Sequence, residues 1–293
     1  MPHRPLNWLS QIFATTALLA ASWSAGASPA SELQVQVRGD GRPVLFVHGL
    51  NSAASTFEGT CAALQPGVQC HLVQLPGFAG AAPLAEPKAY VQQLSQQLQA
   101  YTERAGLKDL TVVGHSLGGS LALNWAAERP EQIARLVIVD TLPFLMALRN
   151  PQATAQEAGA TAAAMREGVR RGPLPRPHLE AMARSMTRTA EGQQRLVAWG
   201  EASDPASTAE AMHDLWALDL RPLLARVQAP TRVLASWAAY APMGGTAERV
   251  RGLNEAQYAG LRGVQIEVSA AGYHFLMWDD PTLVEAQVRA ALQ

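Results

Sequence analysis

The sequence predicts an α/β fold: a mostly parallel central sheet flanked by helices, with a helical insertion past the middle of the chain. Three observations predict it. Residues 43–47 and 136–139 are continuous apolar runs, as expected of strands buried on both faces of a parallel sheet. Helical spacing appears between such runs, as in 87–105, where Tyr90, Leu94, Leu98 and Tyr101 fall on one face. Residues 110–124 combine both patterns. Leu110-Thr111-Val112-Val113 reads as a strand, Gly114-His115-Ser116-Leu117-Gly118 as a sharp turn, and the Ala/Leu-rich run after it as a helix.

The first residues read as a separate unit. His3 and Arg4 make a short basic region, residues 6–21 are mostly apolar, and no charged residue stands between Arg4 and Glu32. Small residues follow and end in Ala25-Gly26-Ala27, so residues 1–27 are expected to be a secretory signal peptide cut after Ala27. The apolar core is shorter than the roughly 20 residues of a membrane span. No Cys follows it to carry a lipid anchor. What remains, about 265 of the 293 residues, fits a single α/β domain with an insertion.

Composition excludes some partners. The formal net charge is −1 and the basic residues are scattered, with no stripe for nucleic acid and no polybasic tail for a membrane surface. A small-molecule substrate is the default expectation. Oligomeric state cannot be read. The two cysteines, Cys61 and Cys70, are close in sequence, and export would place them where disulfides persist, so a Cys61–Cys70 bridge between a helix and the next strand is expected. Neither lies in a metal-ligand spacing, and no feature points to a metal or organic cofactor.

In chain order, residues 33–38 alternate apolar and polar as a half-exposed edge strand does, and Gly39-Asp40-Gly41 is a turn. The buried strand 43–47 runs into His48-Gly49-Leu50. A helix at 55–64, a strand at 70–75 and the helix at 87–105 follow. After the strand, turn and helix of 110–128, Arg129-Pro130 is a stop signal. The strand at 133–140 ends in Asp140. From 141 to 218 no convincing strand occurs, and prolines divide an Ala-, Arg- and Met-rich stretch into helical pieces. Strands return at 231–236 and 264–268, with a helix at 246–261 between them and a closing helix at 281–292.

Gly114-His115-Ser116-Leu117-Gly118-Gly119, with Val47-His48-Gly49-Leu50 before it and Gly272-Tyr273-His274-Phe275 after it, resembles the α/β-hydrolase superfamily over nearly the whole mature chain. The resemblance implies an α/β-hydrolase core at 28–142 and 219–293 and a helical cap at 143–218. Phe144, Met146, Met182, Met186, Trp199 and Trp216 are candidates for an apolar lining beneath that cap. The resemblance also implies roles. Ser116 is the expected nucleophile and His274 its base. The backbone N–H groups of Leu50 and Leu117 are the expected oxyanion hole. His48 is expected to brace its loop. The third member departs from the usual pattern. Relatives commonly carry Asp or Glu just after the next-to-last strand, and here 237–245 holds no carboxylate. Some relatives place the acid one strand earlier, which points to Asp140, with Glu248, Asp214 and Asp219 as the other candidates.

The implied function is acyl transfer through a Ser116 acyl-enzyme, with carboxylic esters of small or medium apolar acids as the expected substrates. Amidase, lactonase, carbon–carbon bond hydrolase and acyltransferase chemistries share the same turn. A non-catalytic relative that binds a small ligand is the alternative from another class, suggested by the missing acid alone.

Overall fold

The computed structural model describes residues 32–293 apart from 149, 151 and 173; the expected signal peptide lies outside the described residues. Strand β1 (Gln34–Arg38) is followed by β2 (Gly41–Val47), α1 (Glu58–Ala63) and β3 (Gly67–Gln74). Then come α2 (Tyr90–Arg104), β4 (Thr111–His115), α3 (Leu117–Glu128) and β5 (Arg135–Val139). Helices α4 (Ala155–Arg170), α5 (Arg176–Met186), α6 (Ala190–Ala202) and α7 (Pro205–Ala217) fill the interval before β6 (Thr231–Ala235). The chain closes with α8 (Ala247–Gln257), β7 (Gln265–Val268), the single turn α9 (Leu276–Asp279) and α10 (Pro281–Ala291).

The strands form one sheet in the order β1-β3-β2-β4-β5-β6-β7. Only β1 runs antiparallel, against β3; every other pair is parallel. Position explains composition. β4 lies in the middle, is buried at every residue and carries no charge. β1 lies on an edge with its residues mostly exposed, and it alternates. One face of the sheet packs Leu45, Val112 and Ile138 against Leu94, Leu121 and Trp125 of α2 and α3. The other packs Phe46, Val113 and Val137 against Phe57, Val284 and Val288. Each fully buried aliphatic side chain of this kind contributes about 1.5–3 kcal/mol. The chain switches direction along the sheet between β3 and β4, and the carboxyl ends of β2, β4, β5 and β6 converge there, where open α/β sheets bind ligands.

The four helices between β5 and β6 pair as α4 with α7 and α5 with α6. Their starts are written locally. Thr154 and Glu157 form a reciprocal capping box on α4. Asp204 caps α7 and Pro205 takes its first turn. Each cap of this type is worth about 1 kcal/mol. Cys61 of α1 and Cys70 of β3 are joined by a disulfide, with Cα atoms 6.1 Å apart.

Candidate active site

The turn after β4 is held by close backbone approach. A Cβ at Gly114 would sit 2.4 Å from the Gly118 carbonyl oxygen, and one at Gly118 would sit 2.1 Å from that of Val47. Both neighbours are main chain and cannot yield, so these two positions admit only glycine. Ser116 between them has φ 54° and ψ −118°, a conformation that costs an ordinary residue about 1–3 kcal/mol. Its surroundings hold it there: the Ser116 N–H donates to the Val139 carbonyl at 3.0 Å and the Thr141 hydroxyl donates to the Ser116 carbonyl at 2.9 Å. Helix α3 begins at the next residue. The N–H groups of Gly119 and Ser120 donate to the Ser116 carbonyl at 2.9 and 3.1 Å, and those of Leu117 and Gly118, ahead of them, have no acceptor within the helix. Leu117 gives that helix its first N–H, while its side chain is fully buried in the core.

The loop after β2 carries Leu50 to the same space. His48 fixes this loop as a neutral ring: Nδ1–H donates to the Gly49 carbonyl at 2.8 Å, and Nε2 accepts the Leu75 N–H at 3.0 Å. Complete burial pushes its pKa down to about 4. Farther along, Asn51 Oδ1 accepts the Thr208 hydroxyl of α7 at 2.7 Å, tying the loop to the inserted helices.

His274 lies in the loop between β7 and α9. Its Nδ1 is 2.6 Å from Asp140 Oδ2, across 134 residues of sequence. Asp140 sits at the tip of β5 with φ 47°, and its own N–H donates to the Leu234 carbonyl at 2.7 Å. The other candidate acids are elsewhere. Asp214 accepts the Val91 N–H, Asp219 pairs with Arg221, and Glu248 lies exposed in the first turn of α8. The geometry thus joins Asp140 to His274 and leaves the other three apart.

Two residues that hold the His274 loop have no local signature in the sequence. His115, the neighbour of Ser116, turns into the protein, where its Nε2–H donates to the His274 carbonyl at 3.0 Å; the two rings lie 4.6 Å apart. Burial, and then the neighbouring His274, hold His115 far below the usual histidine range, so it stays neutral. Asp279 ties the histidine loop to the connection between α5 and α6. Its carboxylate accepts the Thr187 hydroxyl at 2.7 Å and the N–H groups of Arg188 at 3.1 Å and Tyr273 at 3.0 Å. The Phe275 N–H adds a bond to the Met186 carbonyl at 3.0 Å.

Ser116, Asp140, His274 and Leu50 all line one cavity of about 380 Å³, in the size range of small-molecule sites. No hydrogen bond links the Ser116 hydroxyl to His274 among the described residues; such contacts often tighten only when substrate is present. Of the six expected lining side chains, Met182, Met186 and Trp216 face the cavity, joined by Leu145, Leu179 and Met212. Phe144 is buried in a separate cluster with Ala147, Ala153 and Ala158, Met146 packs on that cluster, and Trp199 packs on Trp278. Asp140 is the only carboxylate on the wall, and no Lys or Arg lines it among the described residues. Asn254, 4 % exposed, adds a neutral amide.

Comparison with known proteins agrees with this architecture. Residues 42–237 match the α/β hydrolase fold family. A pimeloyl-[acyl-carrier protein] methyl ester esterase of Nitrosomonas europaea is 24 % identical over 214 residues, covering 70 % of this chain and 80 % of that one. An sn-1-specific diacylglycerol lipase of Mus musculus is 30 % identical over 100 residues, but the match covers only 34 % of this chain and 33 % of that protein. Among solved structures, a thermophilic esterase from Thermogutta terrifontis superposes with a TM-score of 0.73 at 22 % identity, over 89 % of this chain and 92 % of that one. With its seven-stranded sheet and its turn after β4, the chain belongs to the α/β-hydrolase fold family.

Proposed function

We propose that the chain is an exported serine hydrolase that cleaves carboxylic esters of small or medium apolar acids through an acyl-enzyme. The observation that carries the reading is the 2.6 Å contact between His274 Nδ1 and Asp140 Oδ2, on a ring that opens onto the same apolar cavity as Ser116. With Nδ1–H engaged by the carboxylate, the free Nε2 is the basic nitrogen. It takes the Ser116 proton as Oγ attacks the ester carbonyl. The charge that develops on the carbonyl oxygen is met by the N–H groups of Leu50 and Leu117, each worth about 3–4 kcal/mol of barrier. His274 then returns the proton to the leaving alcohol as the carbon–oxygen bond breaks, and water resolves the Ser116 ester by the same steps in reverse order. Asp140 orients the ring and stabilises the imidazolium while it lasts.

The wall supports an uncharged acyl group. Among the described residues a substrate carboxylate would find no cation on the wall, and it would face the charge of Asp140 in a medium that strengthens repulsion. Helices α4–α7, spanning the expected cap, would exclude water from the reacting groups. A ligand-binding role without catalysis drew only on the missing acid after β6, and Asp140 beside His274 removes that motive.

Turnover of p-nitrophenyl esters from acetate to laurate tests the proposal. The expected result is an optimum at short to medium chain length and loss of activity in Ser116→Ala. Hydrolysis that persists in Ser116→Ala would overturn it.

A further inference from the structure

Ser236 directly follows β6 and borders the loop 237–245, where relatives commonly carry their acid. Ser236 has no charge, yet it touches the acid twice. Its backbone N–H donates to Asp140 Oδ1 at 2.7 Å and its hydroxyl donates to Oδ2 at 2.8 Å. Oδ2 is the same oxygen that meets His274 Nδ1 at 2.6 Å. The approach is dictated by the sheet. β5 and β6 are parallel neighbours with Val139 opposite Leu234, so their tips present residues 140 and 236 to each other.

We propose that Ser236 is a positioning residue for the reaction, its two donors fixing the plane of the Asp140 carboxylate so that Oδ2 faces His274. A carboxylate turns about its Cβ–Cγ bond. One donor pins one oxygen and leaves that turn free, whereas a second donor on the other oxygen stops it. Asp140 lies at φ 47° on the end of a strand, where the backbone aims the side chain coarsely, and the Ser236 pair supplies the remaining precision. The hydroxyl also spreads the negative charge. Charge-assisted bonds of this kind are shorter and stronger than neutral ones. A hydroxyl serves here and a second carboxylate would not, because two carboxylates this close share a proton rather than both ionising.

The inference rests on the serine-hydrolase reading. Its test is p-nitrophenyl butyrate hydrolysis by the full chain, with Ser116→Ala beside Ser236→Ala and the pH profile of kcat/KM recorded. Ser236→Ala keeps the N–H bond to Oδ1 and loses the hydroxyl bond to Oδ2, which is then held toward His274 by the His274 contact alone. The variant is expected to lose about tenfold in kcat with KM unchanged within about twofold, the scale of one hydrogen bond to a charged group. The acid limb is expected to move to higher pH, because a more basic Asp140 holds the His274 proton more tightly. Other titratable groups would not mimic this shift. His115, against His274, is held neutral by burial. Tyr240 and Tyr258, near Asp140, are pushed up by burial and then by its charge, and so stay neutral as well. Wild-type kcat with an unmoved pH profile in Ser236→Ala, alongside an inactive Ser116→Ala, would overturn the role of Ser236 and leave the reaction intact. Wild-type activity in Ser116→Ala would overturn the reading of the reaction, and this inference with it.

Discussion

The two halves of the candidate site are built on different principles. The nucleophile half is backbone: Ser116 and the N–H groups of Leu50 and Leu117 are placed by strand ends, a helix start and glycines pressed against main chain. The base half is side chain: His274, Asp140, Ser236 and Asp279 come from the segments that follow β5, β6 and β7 and are placed by hydrogen bonds, most of them between residues remote in sequence. The first kind of precision is inseparable from folding, because the contacts that place Ser116 also pack β4 against α3. The second kind is removable, because a carboxylate can be exchanged for an amide of the same shape while the strands stay where they are. Damage to the first half should therefore appear as lost stability, and damage to the second as lost turnover.

Asp140→Asn is the sharpest way to break that comparison. The amide keeps an oxygen for the Ser236 N–H but turns a donor toward His274, which favours the wrong tautomer of the ring. We expect kcat to fall by about 10⁴-fold while the melting temperature is nearly unchanged. A fall in both would mean that the base half is also part of the folding scaffold. Gly118→Ala probes the other half. Its Cβ would meet the Val47 carbonyl oxygen at 2.1 Å, and relief requires β2 and α3 to separate. We expect a loss of about 3 kcal/mol or more in denaturant unfolding, together with lost activity. A well-folded but inactive protein would contradict the account.

Acid sharpens the comparison further, since the backbone half depends on a neutral His48. In the unfolded chain a histidine takes up a proton near pH 6.5, whereas His48 in the fold does so only near its lowered pKa of about 4. Between those values the unfolded state binds more protons, so stability falls as the pH is lowered from about 6.5 to about 4. The full span is worth about 3 kcal/mol, and the buried His115 adds in the same direction. Melting temperatures across this window should show the slope, and His48→Gln should make it shallower, leaving the share of His115.

The same division governs what could be read before the structure. The turn around Ser116 was legible because the residues of its motif, Gly114, Ser116, Gly118 and Gly119, lie within six positions of one another. The His48 loop and the strand end at Asp140 were legible for a similar reason, as each closes a buried apolar run. Ser236, His115 and Asp279 were not. Their roles exist only once β5 lies beside β6, once the histidine loop rests on His115, and once α5 and α6 reach that loop. One signal was available for Ser236: a hydroxyl residue beside a loop emptied of its usual carboxylate. The cavity wall was half legible. Met182, Met186 and Trp216 stood out as apolar candidates for the lining, but Phe144, Met146 and Trp199 stood out equally, and only the packing of the inserted segment decides which side chains meet the cavity.

The central claim is that Ser116 carries the acyl group, and the most direct test is to catch it there. Wild-type protein would be mixed with p-nitrophenyl butyrate, quenched within the first turnover, digested and mapped by mass. The expected result is a butyryl adduct on the peptide containing Ser116, appearing with the first equivalent of nitrophenol and persisting longer in Asp140→Asn. Steady release of nitrophenol with no adduct at Ser116, or an adduct on another residue, would contradict the account.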